Sequence, residues 1–144
     1  MEHVLFASAI APKIYKEKAI YLATFLGGPL AAGFLMAENF KHLGALDKVK
    51  KTWIATIAAM VIIVGCIFII PESAHFPNTI LPVLYMWLAY YLVQKLQSAK
   101  IKEHTENGGQ AYPIWRAVVV GFISLAVILA VVFVIALIIE IVQP

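Results

Sequence analysis

One short stretch of the sequence holds side chains that could carry out acid-base chemistry at a membrane surface. Glu38, Asn39 and His42 lie within little more than one helical turn. A carboxylate and an imidazole so placed would suit an enzyme acting on lipid or peptidoglycan precursors. The same residues are equally typical of a helix end, where Asn39 and His42 act as capping and interface residues. Because no spacing here requires a chemical explanation, the sequence predicts no enzyme.

A second cluster, Glu103, His104 and Glu106, could contribute ligands to a metal ion. It lacks the spaced ligands of a closed zinc site, and a solvated loop is the better interpretation. Cys66, the one cysteine, stands among apolar residues without the base or positive charge that activates a thiol. Haem ligation would need histidines inside the hydrophobic segments, whereas the histidines lie in tails and loops. We therefore expect neither a metal nor a cofactor.

Aromatic and polar side chains form a stripe in the third hydrophobic segment. Trp87, Tyr90, Tyr91 and Gln94 recur at helical spacing on one side, and Trp87 is too deep for an interfacial aromatic belt. The stripe could line a polar or substrate-contacting pathway. Helix packing, with each tyrosine hydroxyl bonded to a neighbouring backbone, is the more common role of such a stripe. Both interpretations stay open at this point.

The composition indicates what kind of element must position these residues. Hydrophobic residues make up 62% of the 144 residues and charged residues 13%, against roughly 45–50% and 25% in globular proteins. A domain of this size cannot hide so much apolar surface from water. The sequence therefore predicts an all-α integral membrane protein, with residues 1–144 forming a single membrane domain in the lipid bilayer.

Four hydrophobic segments lie between charged stretches, at about 19–37, 52–70, 78–94 and 117–139. A helix of about 20 residues crosses a hydrocarbon core of roughly 30 Å. The second and fourth segments are therefore predicted to span the membrane. The third is short and is predicted to span with little tilt or where the bilayer is thin. Gly44 stands where a helix end favours a left-handed residue.

The first segment is interrupted at its centre by Gly27, Gly28 and Pro29. Each half would be about 12 Å long as a helix, somewhat under half of the hydrocarbon core. Proline cannot donate a backbone hydrogen bond, and glycines readily adopt turn conformations. The segment is therefore predicted to form either a re-entrant hairpin or a kinked fourth span. Small residues at four-residue spacing allow close helix packing in either arrangement: Ala19, Ala23, Gly27 and Ala31.

The positive charges distinguish these two arrangements. Loop 71–77 carries no Lys or Arg and is predicted to lie outside with the C-terminus, whereas loops 38–51 and 95–116 are predicted to be cytoplasmic. A re-entrant first segment puts all 11 Lys and Arg residues on the cytoplasmic side. A spanning one would leave Lys13, Lys16 and Lys18 outside. The hairpin obeys the positive-inside rule better, in a membrane predicted to be the bacterial inner membrane.

Residues 19–44 resemble a segment of small multi-pass bacterial membrane proteins that have no known activity. In those proteins an apolar run leads into a Gly-Gly-Pro-Leu-Ala or similar core, and an Asn-aromatic-basic triplet and a Leu-Gly pair follow. The resemblance implies a membrane protein with a recurring first segment, and it implies no activity. The matching residues are Gly27, Gly28, Pro29, Leu30, Ala31, Asn39, Phe40, Lys41, Leu43 and Gly44.

Together these features predict a non-catalytic structural or accessory subunit of a homo- or hetero-oligomeric membrane assembly. Three spanning helices are not expected to wrap a hairpin alone, so self-association or a membrane partner protein is predicted. The alternative is a small oligomeric channel or facilitator with the turn at Gly27, Gly28 and Pro29 as its constriction. Nucleic acid is not an expected partner, because the basic residues lie beside hydrophobic segments without interleaved aromatic side chains.

Overall fold

The computed structural model describes residues 11–71, 74, 77 and 79–143, and these residues form five α-helices. Three of the helices are long and apolar enough to cross a membrane, namely α1, α2 and α5, and α3 is a shorter apolar helix. The prediction of an all-α protein with helices of membrane-spanning length is confirmed. The helices are α1 (Glu17–His42), α2 (Leu46–Ile69), α3 (Ile80–Leu96), α4 (Ser98–Glu106) and α5 (Ile114–Val142).

The helix bounds differ from the predicted hydrophobic segments mainly at their polar ends. α2 begins at Leu46 rather than at residue 52, because hydropathy marks the edge of the hydrocarbon core and not the end of the helix. Asn78, the predicted start of the third segment, lies outside the described residues. The region 95–116 was predicted to be a solvated loop. The structure shows that part of it forms the helix α4, in which Ile101 is buried. Gly44 has a positive φ of 75° after α1, as predicted.

The helix α1 is interrupted at Gly28, whose backbone angles are φ 61° and ψ −155°. Its two ends nevertheless meet. The side chain of Asn39 accepts a hydrogen bond from the Tyr15 backbone N–H at 2.7 Å and donates one to the Tyr15 carbonyl at 2.8 Å. In an unbroken helix these two residues would be about 36 Å apart. The chain therefore reverses at Gly28, between a first leg (residues 17–27) and a second leg (residues 29–42).

This folded-back α1 is the centre of the molecule. α2, α3 and α5 all pack on it, whereas α2 and α3 make at most slight contact with each other. Of the most apolar stretch of α1, 61% is buried, against 6% for α2 and 6% for α5. Gly27 and Gly28 are buried within the single chain. The described helices thus cover these two glycines, whereas Pro29 and Leu30 beside them are only partly buried.

All chain segments that carry basic residues meet at one end of the molecule. The segment before α1 pairs with the segment before α5, since Ile14 N–H donates to the Gln110 carbonyl at 3.3 Å and Tyr112 N–H donates to the Ile14 carbonyl at 2.8 Å. The Ser98 hydroxyl donates to the Glu17 carboxylate, which joins α4 to the start of α1. We call residues 11–18, 38–51 and 95–116 the basic end. It contains all 11 Lys and Arg residues.

Candidate functional site

A buried hydrogen-bond network at the basic end closes the two legs of α1. Asn39 and Gln97 are both fully buried. Besides its two bonds to Tyr15, Asn39 donates to the Gln97 side-chain oxygen at 3.3 Å, and Gln97 in turn donates to the Met36 carbonyl at 2.8 Å. In the part of the chain that the structure describes, no buried side-chain nitrogen or oxygen lacks a partner. Asn39 therefore ties the start of α1, its second leg and the end of α3 together.

The other two polar residues predicted at this interface, Glu38 and His42, contact each other. His42 Nε2 lies 3.7 Å from a Glu38 carboxylate oxygen, and both side chains are partly exposed. His42 Nδ1 lies 2.6 Å from the Lys13 carbonyl and donates to it when protonated. The separation between His42 and Glu38 is too long for a hydrogen bond, whereas the contact with Lys13 fastens the segment before α1 to the end of the second leg. Asn39 is not part of this pair, because its side chain is committed to the buried network.

Beside this pair, two tyrosines and an arginine form a stack. The rings of Tyr15 and Tyr112 are 4.7 Å apart, and the Arg116 guanidinium lies 4.2 Å from the centre of the Tyr112 ring. Burial raises the pKa of the Tyr15 hydroxyl above its ordinary value, and the positive charge of Arg116 opposes this shift. The stack holds the segment before α1 against the beginning of α5.

Close packing of small residues, rather than a side-chain network, holds the other end of the hairpin. A Cβ atom added at Gly27 would overlap the carbonyl oxygen of Gly121 and lie 2.7 Å from the Ser124 Cβ. Conversely, a Cβ at Gly121 would lie 3.1 Å from the Ala23 carbonyl oxygen. The backbones of the first leg and α5 therefore approach each other through paired small residues. The predicted spacing of alanine and glycine in α1 serves this contact.

Gly28 and Pro29 make the reversal itself. The angles of Gly28 fall in a region that residues with a Cβ rarely adopt. A Cβ there would lie 3.7 Å from Ile128 of α5 and 4.0 Å from the Tyr85 ring of α3, which is ordinary contact. Pro29 opens the second leg, where its missing N–H costs no helical hydrogen bond. The turn thus lies between α3 and α5, with Tyr85 beside it.

The predicted aromatic stripe of α3 lies on the outside of the molecule. Trp87, Tyr90 and Tyr91 are 66%, 51% and 46% exposed. Trp87 and Tyr91 are stacked with ring centres 6.2 Å apart. Gln94 is directed differently and donates to the Tyr21 hydroxyl of the first leg at 3.1 Å. The structure does not bring the stripe to the turn of α1, so the stripe and the turn are two separate surfaces.

An apolar cleft of about 650 Å³ separates α2 from α3. Its floor is the second leg of α1, from Phe40 at the basic end to Pro29 at the turn. Lys48 and Lys51 of α2 stand at its basic end together with Asp47. We call this space the α2–α3 cleft. Trp87 does not line it. The cleft was not predicted, because no local pattern shows that two helices fail to touch.

The structure does not group the predicted acidic and histidine cluster into one site. Within the described residues, no three His, Cys, Asp or Glu side chains come together as metal ligands. Glu106 pairs with Lys102 at 3.8 Å on α4, and His104 Nε2 faces the Gln110 carbonyl at 3.2 Å. His104 and Glu106 are thus directed to different partners at the surface.

Three residues that lie against the hairpin are not marked by any sequence motif. Gln97 lies just beyond the predicted third segment, and only its polar side chain at an apolar boundary could have drawn attention to it. For Tyr85, the available signal was a polar hydroxyl group at a position deep in the same apolar segment. Thr56 packs against Gly33, and a Cβ added at Gly33 would overlap the Thr56 side chain. Both are small residues in apolar segments, and this was the only sequence feature that could have indicated a close contact between the two helices.

No family model matches the chain, and no curated protein or solved structure matches it.

Proposed function

We propose that this protein is a multi-pass membrane subunit in which α1 is re-entrant, entering and leaving the bilayer at the basic end. The hydrogen bonds between Asn39 and Tyr15 support this proposal, because they join the two ends of α1. The two legs are about 16 and 21 Å long, short of the roughly 30 Å of a hydrocarbon core. The polar backbone at the turn would be covered by α3 and α5, as the bilayer requires.

In this proposal the basic end faces the cytoplasm of a bacterial inner membrane. Positive charges favour the cytoplasmic side, and this end carries all 11 Lys and Arg residues. α5, at 29 residues, is about 44 Å long and crosses the whole bilayer. Its far end, with Glu140 and Gln143, then lies outside together with the 71–77 connection.

The proposed role is that of a structural or accessory subunit, and the exposed aromatic face of α3 carries this proposal. We define the aromatic face as Trp87, Tyr90 and Tyr91. Trp87 lies about 10 Å from the start of α3 and about 14 Å from its end, and so near mid-membrane. Tryptophan and tyrosine normally place their polar groups at the interface or against protein. A neighbouring protein chain would supply hydrogen-bond partners for these polar groups, which lipid tails cannot.

Photocrosslinking in intact membranes tests this role. A photoreactive amino acid replaces Trp87 in one tagged copy of the chain, and a second, differently tagged copy is expressed with it. Leu129 of α5 is the matched control, because it is also exposed, at 59%. We expect a discrete protein adduct from position 87 and none from position 129. An adduct with the second tag identifies self-association, and any other adduct is identified by mass spectrometry.

The subunit proposal fails if position 87 gives no protein adduct. It fails equally if positions 87 and 129 give the same diffuse pattern, since that pattern would indicate random collisions in the membrane. A chain that purifies as a monomer in lipid nanodiscs, with its cellular phenotype unchanged when Trp87 and Tyr91 are both replaced by leucine, would likewise contradict the proposal.

A small channel or facilitator is the second candidate, and one observation favours it. Gly28 and Tyr85 lie together at the turn, where the carbonyls ending the first leg and the N–H groups beginning the second could contact a solute. We expect solute flux in liposomes that Tyr85→Phe changes and that Tyr90→Phe, on the aromatic face, does not. The absence of flux over a broad solute panel would exclude this candidate.

A further inference from the structure

We infer that the α2–α3 cleft binds one anionic phospholipid from the leaflet at the basic end. The lipid phosphate lies at Lys48 and Lys51, and one acyl chain occupies the cleft. The site is distinct from the aromatic face, which lies on another side of α3. The inference rests on the proposed placement of α1 in the bilayer but not on the subunit role, so failure of the subunit proposal would leave it intact.

The floor of the cleft is about as long as one leaflet of a bilayer is thick. Its floor runs from Phe40 to Pro29 along the second leg, which is about 16 Å. Half of a hydrocarbon core is roughly 15 Å. The floor ends at the turn of α1 because the chain reverses there, while the lining residues of α2 reach Ile63. A transmembrane helix of a partner would run through both leaflets, so a floor of this depth, with two lysines at its mouth, favours a single lipid chain.

The walls of the cleft suit an acyl chain. Ala55 and Ala59, four residues apart on α2, leave space where larger side chains would fill it. Leu84, Leu88 and Leu92 repeat at the same spacing on the facing side of α3. The volume of about 650 Å³ falls within the roughly 300–1,000 Å³ of small-molecule sites. Leu84 is both a lining residue and 57% exposed, so the cleft reaches the lipid-facing surface.

The charges at the mouth select the headgroup. Lys48 and Lys51 are three residues apart and line the same side of α2. The Lys48 ammonium lies 5.6 Å from the centre of the Phe40 ring, at the end of the cleft floor. Asp47 also lines the mouth and opposes an anion, so the two lysines must outweigh it. Lys50, on the same turn of α2, is exposed and does not line the cleft.

Lipid binding to the purified full-length chain tests the headgroup assignment. The detergent-solubilised protein is titrated with phosphatidylglycerol or phosphatidylcholine, and retained lipid is measured by native mass spectrometry. We expect tighter binding of phosphatidylglycerol. The double variant Lys48→Gln, Lys51→Gln should weaken that binding roughly 30-fold. Each lysine near an anionic headgroup contributes about 1 kcal/mol to the binding free energy, and two lysines contribute about twice as much. The charge-matched double variant Lys50→Gln, Lys100→Gln should leave it within about twofold.

A second pair of variants tests the acyl-chain assignment. Ala59→Leu fills the cleft and should reduce the binding of both lipids, whereas Ala58→Leu, one residue away and outside the cleft, should not. Equal loss from the two lysine double variants, or unchanged binding in Ala59→Leu, would overturn the inference. A change of oligomeric size in Ala59→Leu with unchanged lipid binding would instead assign the cleft to a second copy of the chain.

Discussion

The two ends of the α1 hairpin are stabilised by different physical means. At the base, Asn39 and Gln97 close the structure through hydrogen bonds to each other, to Tyr15 and to Met36. At the turn, Gly27 allows the first leg to lie directly against the backbone of α5. The base is polar and lies at the basic end, whereas the turn is apolar and lies about 16 Å away along the first leg.

This difference fits the re-entrant arrangement that we propose, in which few polar side chains would lie at membrane depth. Polar groups are costly in the hydrocarbon core, so a network such as that of Asn39 is best placed near the interface. Close packing of small residues has no such cost and is a common way of joining helices in membranes. We therefore expect a larger side chain to destabilise the protein most at the turn, and the loss of a polar side chain to destabilise it most at the base.

The largest loss of stability should come from a larger side chain at the turn. Gly27→Leu would place a side chain where a Cβ alone overlaps the Gly121 carbonyl oxygen, and a backbone group cannot move aside as a side chain can. The loss should exceed the roughly 1–3 kcal/mol of ordinary overpacking and abolish the folded monodisperse protein. Gly65→Leu is the control, because a Cβ at Gly65 meets nothing within 4 Å. Equal thermal unfolding midpoints in detergent would contradict this account.

Polarity at the base should give the next largest effect. Asn39→Leu removes three hydrogen bonds and leaves the Tyr15 backbone groups buried without partners, at a cost of about 3 kcal/mol in the free energy of unfolding. Asn107→Leu, at an exposed position after α4, should cost little. The unfolding free energies of both variants are measured by denaturant titration in mixed micelles. A base held mainly by apolar packing would instead tolerate the isosteric leucine.

A residue that strains the backbone at the turn should cost less stability than a larger side chain there. Gly28→Ala introduces a Cβ that has room but forces alanine into φ 61°, ψ −155°, at about 2 kcal/mol. Gly44→Ala, also at a positive φ and with nothing within 4 Å, should cost about 1 kcal/mol. Thermal unfolding of the two variants side by side separates the cost of the turn from that of a helix end. If Gly28→Ala is neutral, the turn does not have this conformation in the membrane.

The smallest effect concerns Tyr15 at alkaline pH. Burial raises the pKa of its hydroxyl, so the folded state holds the proton more tightly than the unfolded state. This contribution to stability is present below the ordinary pKa of about 10 and is lost as the pH rises through the folded-state pKa. The unfolding midpoint of the wild type should therefore fall more steeply above pH 10 than that of Tyr15→Phe. Parallel pH profiles would show that Tyr15 does not contribute.

The sequence was sufficient for the apolar helices and the interruption of the first one. A bilayer imposes a helix length that can be read from hydropathy, and Gly28 and Pro29 act on their own backbone. Gln97 could not be identified in this way, because its role depends on Asn39, which is distant in sequence.

The inward side of α3 was equally unpredictable. Trp87 and Tyr91, four residues apart, stack on one side of the helix. The segment is apolar around its whole circumference, however, so no hydrophobic face shows which side packs inward. That depends on which residues of α3 meet the rest of the chain, and the structure buries Ala89 and Val93.

Sidedness of the segment before α1 is the most direct test of the central claim that α1 is re-entrant. In a Cys66→Ser background, single cysteines replace Lys13, Asp47 and Gln143, and intact cells are treated with a membrane-impermeant maleimide. We predict that Gln143→Cys is labelled, and that Lys13→Cys and Asp47→Cys are protected until the membrane is opened. Labelling of Lys13→Cys from outside while Asp47→Cys stays protected would mean that α1 spans the bilayer, and would contradict the account.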